Sequence, residues 1–203
     1  KAGNAWGFSA VIRKTISGWL RKCLPRTLSD PPEISDALWK ATLHAHPFLA
    51  QLSATEQERL KALCAHFLQC KEFTGANSLD ITDAMALPVA AQACVLLIHR
   101  GTPQQALRYY NDFVGIVIHP TDMVARRTVR DRAGVIHHYQ EALMGEAMER
   151  GPVTLSWSAI KPSIQSTSTS GMNVVIHEFA HKLDMANGDA DGCPRPCLLD
   201  LWD

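Results

Sequence analysis

The chain has no net charge with which to attract a partner: 20 Lys and Arg stand against 20 Asp and Glu, and the pI is about 7.2. That balance argues against electrostatic capture of nucleic acid or of an acidic surface, so direct nucleic-acid binding is not expected. Long apolar runs are missing as well. The segment Ala10 to Leu24 sets Val11, Ile12, Ile16, Trp19, Leu20, Cys23 and Leu24 against Arg13, Lys14, Arg21 and Lys22. Its charges break the apolar run too often for a signal-peptide core or a transmembrane span. It reads as a basic amphipathic helix, either docked on its own domain or left as a loose, membrane-touching tail. No internal repeat is visible. The six cysteines (Cys23, Cys64, Cys70, Cys94, Cys193, Cys197) are scattered, and Cys64, Cys70 and Cys94 lie in apolar helical patterns. They read as reduced core residues of a cytoplasmic protein.

What remains suits one ordinary domain: 203 residues, 46% of them hydrophobic, can bury a real core. Pro25 to Pro32 reads as a linker. Ser35 or Asp36 caps a helix through Leu38, Trp39 and Leu43 to His46, which Pro47 stops. Ser53-Ala54-Thr55-Glu56 is a capping box, opening a helix whose apolar stripe is Leu60, Leu63, Cys64, Phe67 and Leu68. Thr82 or Asp83 opens a third helix, Ala84 to His99, ended by Gly101, with Pro88 early enough to be tolerated. These three predict a helical layer. The period then changes. Val114 to Ile118 is β-rich and ends at Pro120, while Arg126 to Arg130 and Val135 to Leu143 flank the turn Asp131-Arg132-Ala133-Gly134 as a hairpin. Pro152 to Trp157 is a further strand, begun by proline as an edge strand would be. A Ser- and Thr-rich stretch, Ser163 to Gly171, leads into a last helix. The expected class is α+β: an N-terminal helical layer, a small mixed sheet and a helix carrying the chemistry.

That last helix, Met172 to Asp184, holds His177-Glu178-Phe179-Ala180-His181. Residues i and i+4 of a helix point the same way, so the two imidazoles can hold one zinc ion while Glu178 faces a water that the metal polarises. Zinc brings that water's pKa toward neutrality, and Glu178 can accept its proton. Val174, Val175, Ile176, Phe179, Ala180 and Leu183 give the pair an apolar surround, in which an unpartnered His-Glu pair would be costly. The bland alternative is two core histidines bonded to backbone. A catalytic zinc takes three protein ligands, and two histidines supply two. Asp184, three residues past His181, is expected to stand behind the ligands, or to accept an N–H from a ligand histidine, rather than to bind metal. No histidine follows His181, which excludes a metzincin-type third ligand. An extended peptide substrate would lie along a sheet edge beside the helix, and Val153, Thr154, Leu155 and Ser156 are the candidate edge.

With these residues placed, the chain resembles the Mlc titration factor A family, bacterial zinc-dependent peptidases with a gluzincin-like core. The resemblance rests on Phe48-Leu49, Glu72-Phe73-Thr74-Gly75, Ala91-Gln92-Ala93-Cys94, Val117-Ile118-His119-Pro120, Gly151 to Trp157, and His177 to Asp184 with Asn187-Gly188-Asp189. It covers residues 33–192, the expected peptidase domain, between an N-terminal segment and linker (1–32) and a divergent tail (193–203). It implies a cytoplasmic, aminopeptidase-like metallopeptidase using Zn2+, with His177 and His181 as ligands and Glu178 as general base. In enterobacterial relatives it implies binding of the repressor Mlc, which controls sugar uptake. The family's third ligand, a glutamate, and an assisting tyrosine come from helices further along. The text after Gly192 departs from the family and is expected to be a truncated or frame-shifted end, with activity impaired accordingly. Two other readings stay open. One is a non-catalytic, repressor-binding domain. The other is a structural site of His177, His181, Cys193 and Cys197, which Pro194 and Pro196 disfavour.

Overall fold

Helix α1 (Asp36–Ala45) starts where Ser35 Oγ accepts the Leu38 N–H and stops at His46, because Pro47 begins the next short helix, α2 (Pro47–Ala50). The computed structural model describes residues 31–130, 136–149, 151–161, 173–186 and 192. The basic segment Ala10 to Leu24, the hairpin turn, the Ser/Thr stretch 163–171 and the tail with Cys193 and Cys197 lie outside these residues. Helix α3 (Ala54–Cys70) opens on the expected capping box: the Glu56 N–H donates to Ser53 Oγ at 3.3 Å, and the Ser53 N–H to Glu56 Oε2 at 2.9 Å.

A strand beyond the expected elements comes next, β1 (Glu72–Gly75). It places part of the sheet between helices rather than after all of them. Helix α4 (Asp83–Val95) is buried at every residue from Met85 to Cys94 and runs through the middle of the molecule. It ends four residues short of the expected His99, in turns that lead to Gly101 at φ +74°. Pro88 is accommodated, and the Gln92 side chain donates to its carbonyl at 3.0 Å. Helix α5 (Pro103–Ala106) and a 3-10 turn (Leu107–Tyr110) carry the chain to β2 (Gly115–His119).

The expected hairpin is present as β3 (Met123–Arg130) and β4 (Ile136–Leu143), paired antiparallel. Strands β5 (Gly145–Ala147) and β6 (Val153–Ser156) then complete a four-stranded mixed sheet in the order β1-β2-β6-β5. β1, β2 and β6 are parallel, and β5 runs antiparallel to β6. This corrects the expectation for Val153, Thr154, Leu155 and Ser156. They form an interior strand, with three of the four side chains buried, and the edge beside them is β5. Pro152 misled because it stands before the strand, where its missing N–H costs no ladder bond; its carbonyl accepts from the Met148 N–H instead, at 3.5 Å.

After the short helix α6 (Trp157–Ile160) comes α7 (Val174–Met185), capped by Asn173, whose Oδ1 accepts the Ile176 N–H at 3.0 Å. The same side chain donates to Gln92 Oε1 at 2.6 Å, tying the start of α7 to α4. Phe179 anchors the helix from below. It is fully buried, with ring centroids 5.3 Å from Tyr110 and 5.9 Å from both Phe67 and Phe113. Among the described residues no helix is long and apolar enough to cross a membrane.

Candidate metal centre

α7 presents two faces of different chemistry. Val174, Val175, Phe179 and Lys182 turn into the protein, while His177, Ala180 and His181 face outward. His177 and His181 stand one turn apart on that exposed face, with Nε2 atoms 3.1 Å from each other and rings nearly perpendicular at 83°. At that separation the two nitrogens share either one proton or one cation. Two imidazole nitrogens on a tetrahedral zinc, each bound at about 2.0–2.1 Å, would lie roughly 3.3 Å apart. The pair therefore fits such an ion with little movement. Among the described residues no third His, Cys, Asp or Glu joins them in a metal-holding group.

Glu178 lies on the inward flank, only 7% exposed, between α7 and strand β5. Burial pushes its carboxyl above the ordinary glutamate range. The nearby His177 and His181 and a hydrogen bond from the Ala147 N–H pull the other way, and Glu146 pushes it up again. The strand comes this close because residue 145 is glycine: a Cβ there would stand 2.6 Å from Glu178 Cγ and 2.9 Å from Val174 Cγ2.

The edge geometry of β5 follows from its hydrogen bonds. The Ser156 N–H donates to the Met144 carbonyl at 2.8 Å, and the Met148 N–H to the Pro152 carbonyl. In an antiparallel pair, alternate residues turn their backbone groups toward the partner strand. Residues 144, 146 and 148 therefore face β6, and Gly145 and Ala147 turn their N–H and C=O groups outward, where Ala147 meets Glu178.

Asp184 is engaged by a backbone group. It is buried, and its Oδ2 accepts the Gly192 N–H at 2.9 Å. It stands about two turns beyond His177, and the Gly192 N–H reaches its carboxylate from past the end of the helix. Cys193 and Cys197 lie outside the described residues.

Lys182, Asp112 and β5 also shape the site and are not among the residues expected from the sequence. Lys182 could have been noticed, since it occupies the i+3 position from Phe179 on the apolar stripe, where a lysine is out of place.

A sequence model of the family described as glucose-regulated metallo-peptidase M90 matches residues 19–197. Among curated proteins, the chain is 34% identical over 168 residues to the Mlc titration factor A of Salmonella arizonae, a match spanning 82% of this chain and 63% of that protein. It is 35% identical over 157 residues to the Mlc titration factor A of Klebsiella pneumoniae strain 342, spanning 77% of this chain and 56% of that protein. For the protein of that name from Cronobacter sakazakii the values are 33% over 164 residues, 80% and 58%. The chain thus spans about six-tenths of the length of the curated relatives it matches.

Proposed function

The chain belongs to the glucose-regulated metallo-peptidase M90 family, and from that premise we propose that it serves a zinc-dependent peptidase centre with small, aminopeptidase-type substrates. His177 and His181 hold the zinc, Glu178 is the general base, and the reaction takes place at the exposed face of α7. The observation that carries this reading is the pair of exposed Nε2 atoms 3.1 Å apart, one residue from a buried carboxylate held at a sheet edge.

Zinc at this position supplies Lewis-acid polarisation of a scissile carbonyl and acidifies a water near neutral pH. The protein's own groups do the rest. Glu178 accepts the proton of the attacking water at its carboxylate and can return it to the leaving amine. The Ala147 N–H fixes the orientation of that carboxylate. The outward backbone groups of Gly145 and the carbonyl of Ala147 offer an extended peptide an edge to pair with, so β5 takes the role first expected of β6. The buried flank of Glu178 keeps bulk water from the base.

The test is hydrolysis of aminoacyl chromogenic substrates with added zinc, wild type against Glu178→Gln. Turnover that Glu178→Gln abolishes supports the reading, and turnover insensitive to it refutes the role of Glu178. A second reading is favoured by the name that the relatives share: the chain binds Mlc. Binding of this kind needs no base, so Glu178→Gln leaves it unchanged in a pull-down with purified Mlc.

A further inference from the structure

A lysine follows the second histidine, and its surroundings are unusually complete. Lys182 is fully buried, and its ammonium has three hydrogen-bonding partners: the Met148 carbonyl at 2.9 Å, the Gly151 carbonyl at 3.5 Å and the Asp112 carboxylate. An ammonium has three N–H groups, so each finds an acceptor. The Phe113 ring lies 4.8 Å away, adding a cation–π contact. The stripe position could have been filled by Leu or Met without taking a charge out of water. What an apolar side chain could not do is bind the carbonyls of the turn Met148–Gly151, which closes on itself through the Gly151 N–H to the Met148 carbonyl at 3.1 Å.

That turn is the end of β5. Lys182 stands one helical turn beyond Glu178, and the two side chains grip neighbouring backbone groups of one strand: Glu178 accepts the Ala147 N–H, and Lys182 donates to the Met148 carbonyl. Asp112, in the loop before β2, anchors the ammonium from a third element.

We infer that Lys182 is a positioning residue: by holding the Met148–Gly151 turn it fixes the outer edge of β5 and, through Ala147, the carboxylate of Glu178 beside the histidine pair. The inference rests on the peptidase reading for its catalytic meaning, but the strap itself is a matter of structure and can be measured without turnover.

The experiment uses the whole 203-residue chain with amide hydrogen exchange followed residue by residue. In Lys182→Met, exchange at Ala147 should accelerate tenfold or more, while Ile118 in the central strand β2 stays as in wild type and zinc affinity stays within twofold. Lys182→Arg, which keeps charge and donors, should recover part of the protection at Ala147. Where wild type hydrolyses an aminoacyl substrate, Lys182→Met should lower turnover at least tenfold despite its intact zinc affinity. Ala147 exchange within twofold of wild type, in a variant whose Ile118 is still protected, would overturn the inference. If Lys182→Met does not fold, Asp112→Asn decides by the same readout: faster exchange at Ala147 with Ile118 unchanged supports the strap, and no change overturns it. Absence of hydrolysis in wild type would count against the peptidase reading alone, because the exchange result stands without it.

Discussion

Gly145→Ala is the smallest change that should disturb the centre without touching a histidine or Glu178. The added Cβ would stand 2.6 Å from Glu178 Cγ, 2.8 Å from its Oε1 and 2.9 Å from Val174 Cγ2. Ordinary carbon contacts start near 3.5 Å, so strand and helix must separate by most of an ångström or Glu178 must swing away. Separation is overpacking, which costs about 1–3 kcal/mol. Swinging away gives up the bond from the Ala147 N–H to a carboxylate, a charge-assisted bond of about 1.5–3 kcal/mol. Either route gives a loss of roughly 2 kcal/mol, or a fall in Tm of roughly 4–8 °C for a domain of this size. The assay is urea denaturation with thermal melting, run with and without zinc. Zinc binding should persist, since the histidines face the other way, while any turnover falls. A Gly145→Ala protein as stable and as active as wild type would refute the claim that β5 and Glu178 are in tight contact.

Two further outcomes follow from the packing and charge around the centre. Phe179→Ala removes a fully buried ring from among Phe67, Tyr110 and Phe113 and should cost about 3–5 kcal/mol in urea unfolding; a loss under about 1 kcal/mol would contradict its role as the anchor of α7. His46 is buried and its pKa is lowered by that burial from an ordinary 6.5. The unfolded chain therefore takes up the His46 proton first, so its contribution to stability is whole above about pH 6.5 and is lost as the pH falls toward the folded value. His46→Gln should flatten the fall in urea midpoint between pH 7 and pH 5, and identical slopes for the two proteins would count against the assignment.

What could be read from the sequence was what local chemistry decides. The Ser53/Glu56 capping box, the Pro47 stop, the β3–β4 hairpin and α7 with its i, i+4 histidines are each specified within a few residues, and each lies where it was expected. The end of α4 was not legible, because Leu96, Leu97 and Ile98 continue the apolar pattern beyond Val95 and no stop signal appears before Gly101. β1 and β5 are four and three residues long, too short to show alternation. Which strand forms the edge depends on pairing between distant segments, and the proline before β6 pointed the wrong way. At the candidate centre, the pairing of His177 and His181 on one side of α7 was legible from spacing. The supports were not, because Ala147 acts through its backbone, Gly145 through the absence of a side chain, and Asp112 and Lys182 meet only in the folded protein. The partner of Asp184 was not legible either, because the Gly192 N–H comes from beyond the end of the helix.

The central claim, that His177 and His181 form a metal pair served by Glu178, is tested most directly by zinc stoichiometry. Zinc is titrated against a chromophoric chelator into wild type, Glu178→Gln and His181→Ala. The account predicts one zinc per chain in wild type, the same single zinc in Glu178→Gln because the base is not a ligand, and loss of binding in His181→Ala. Zinc retained at wild-type affinity by His181→Ala would contradict it.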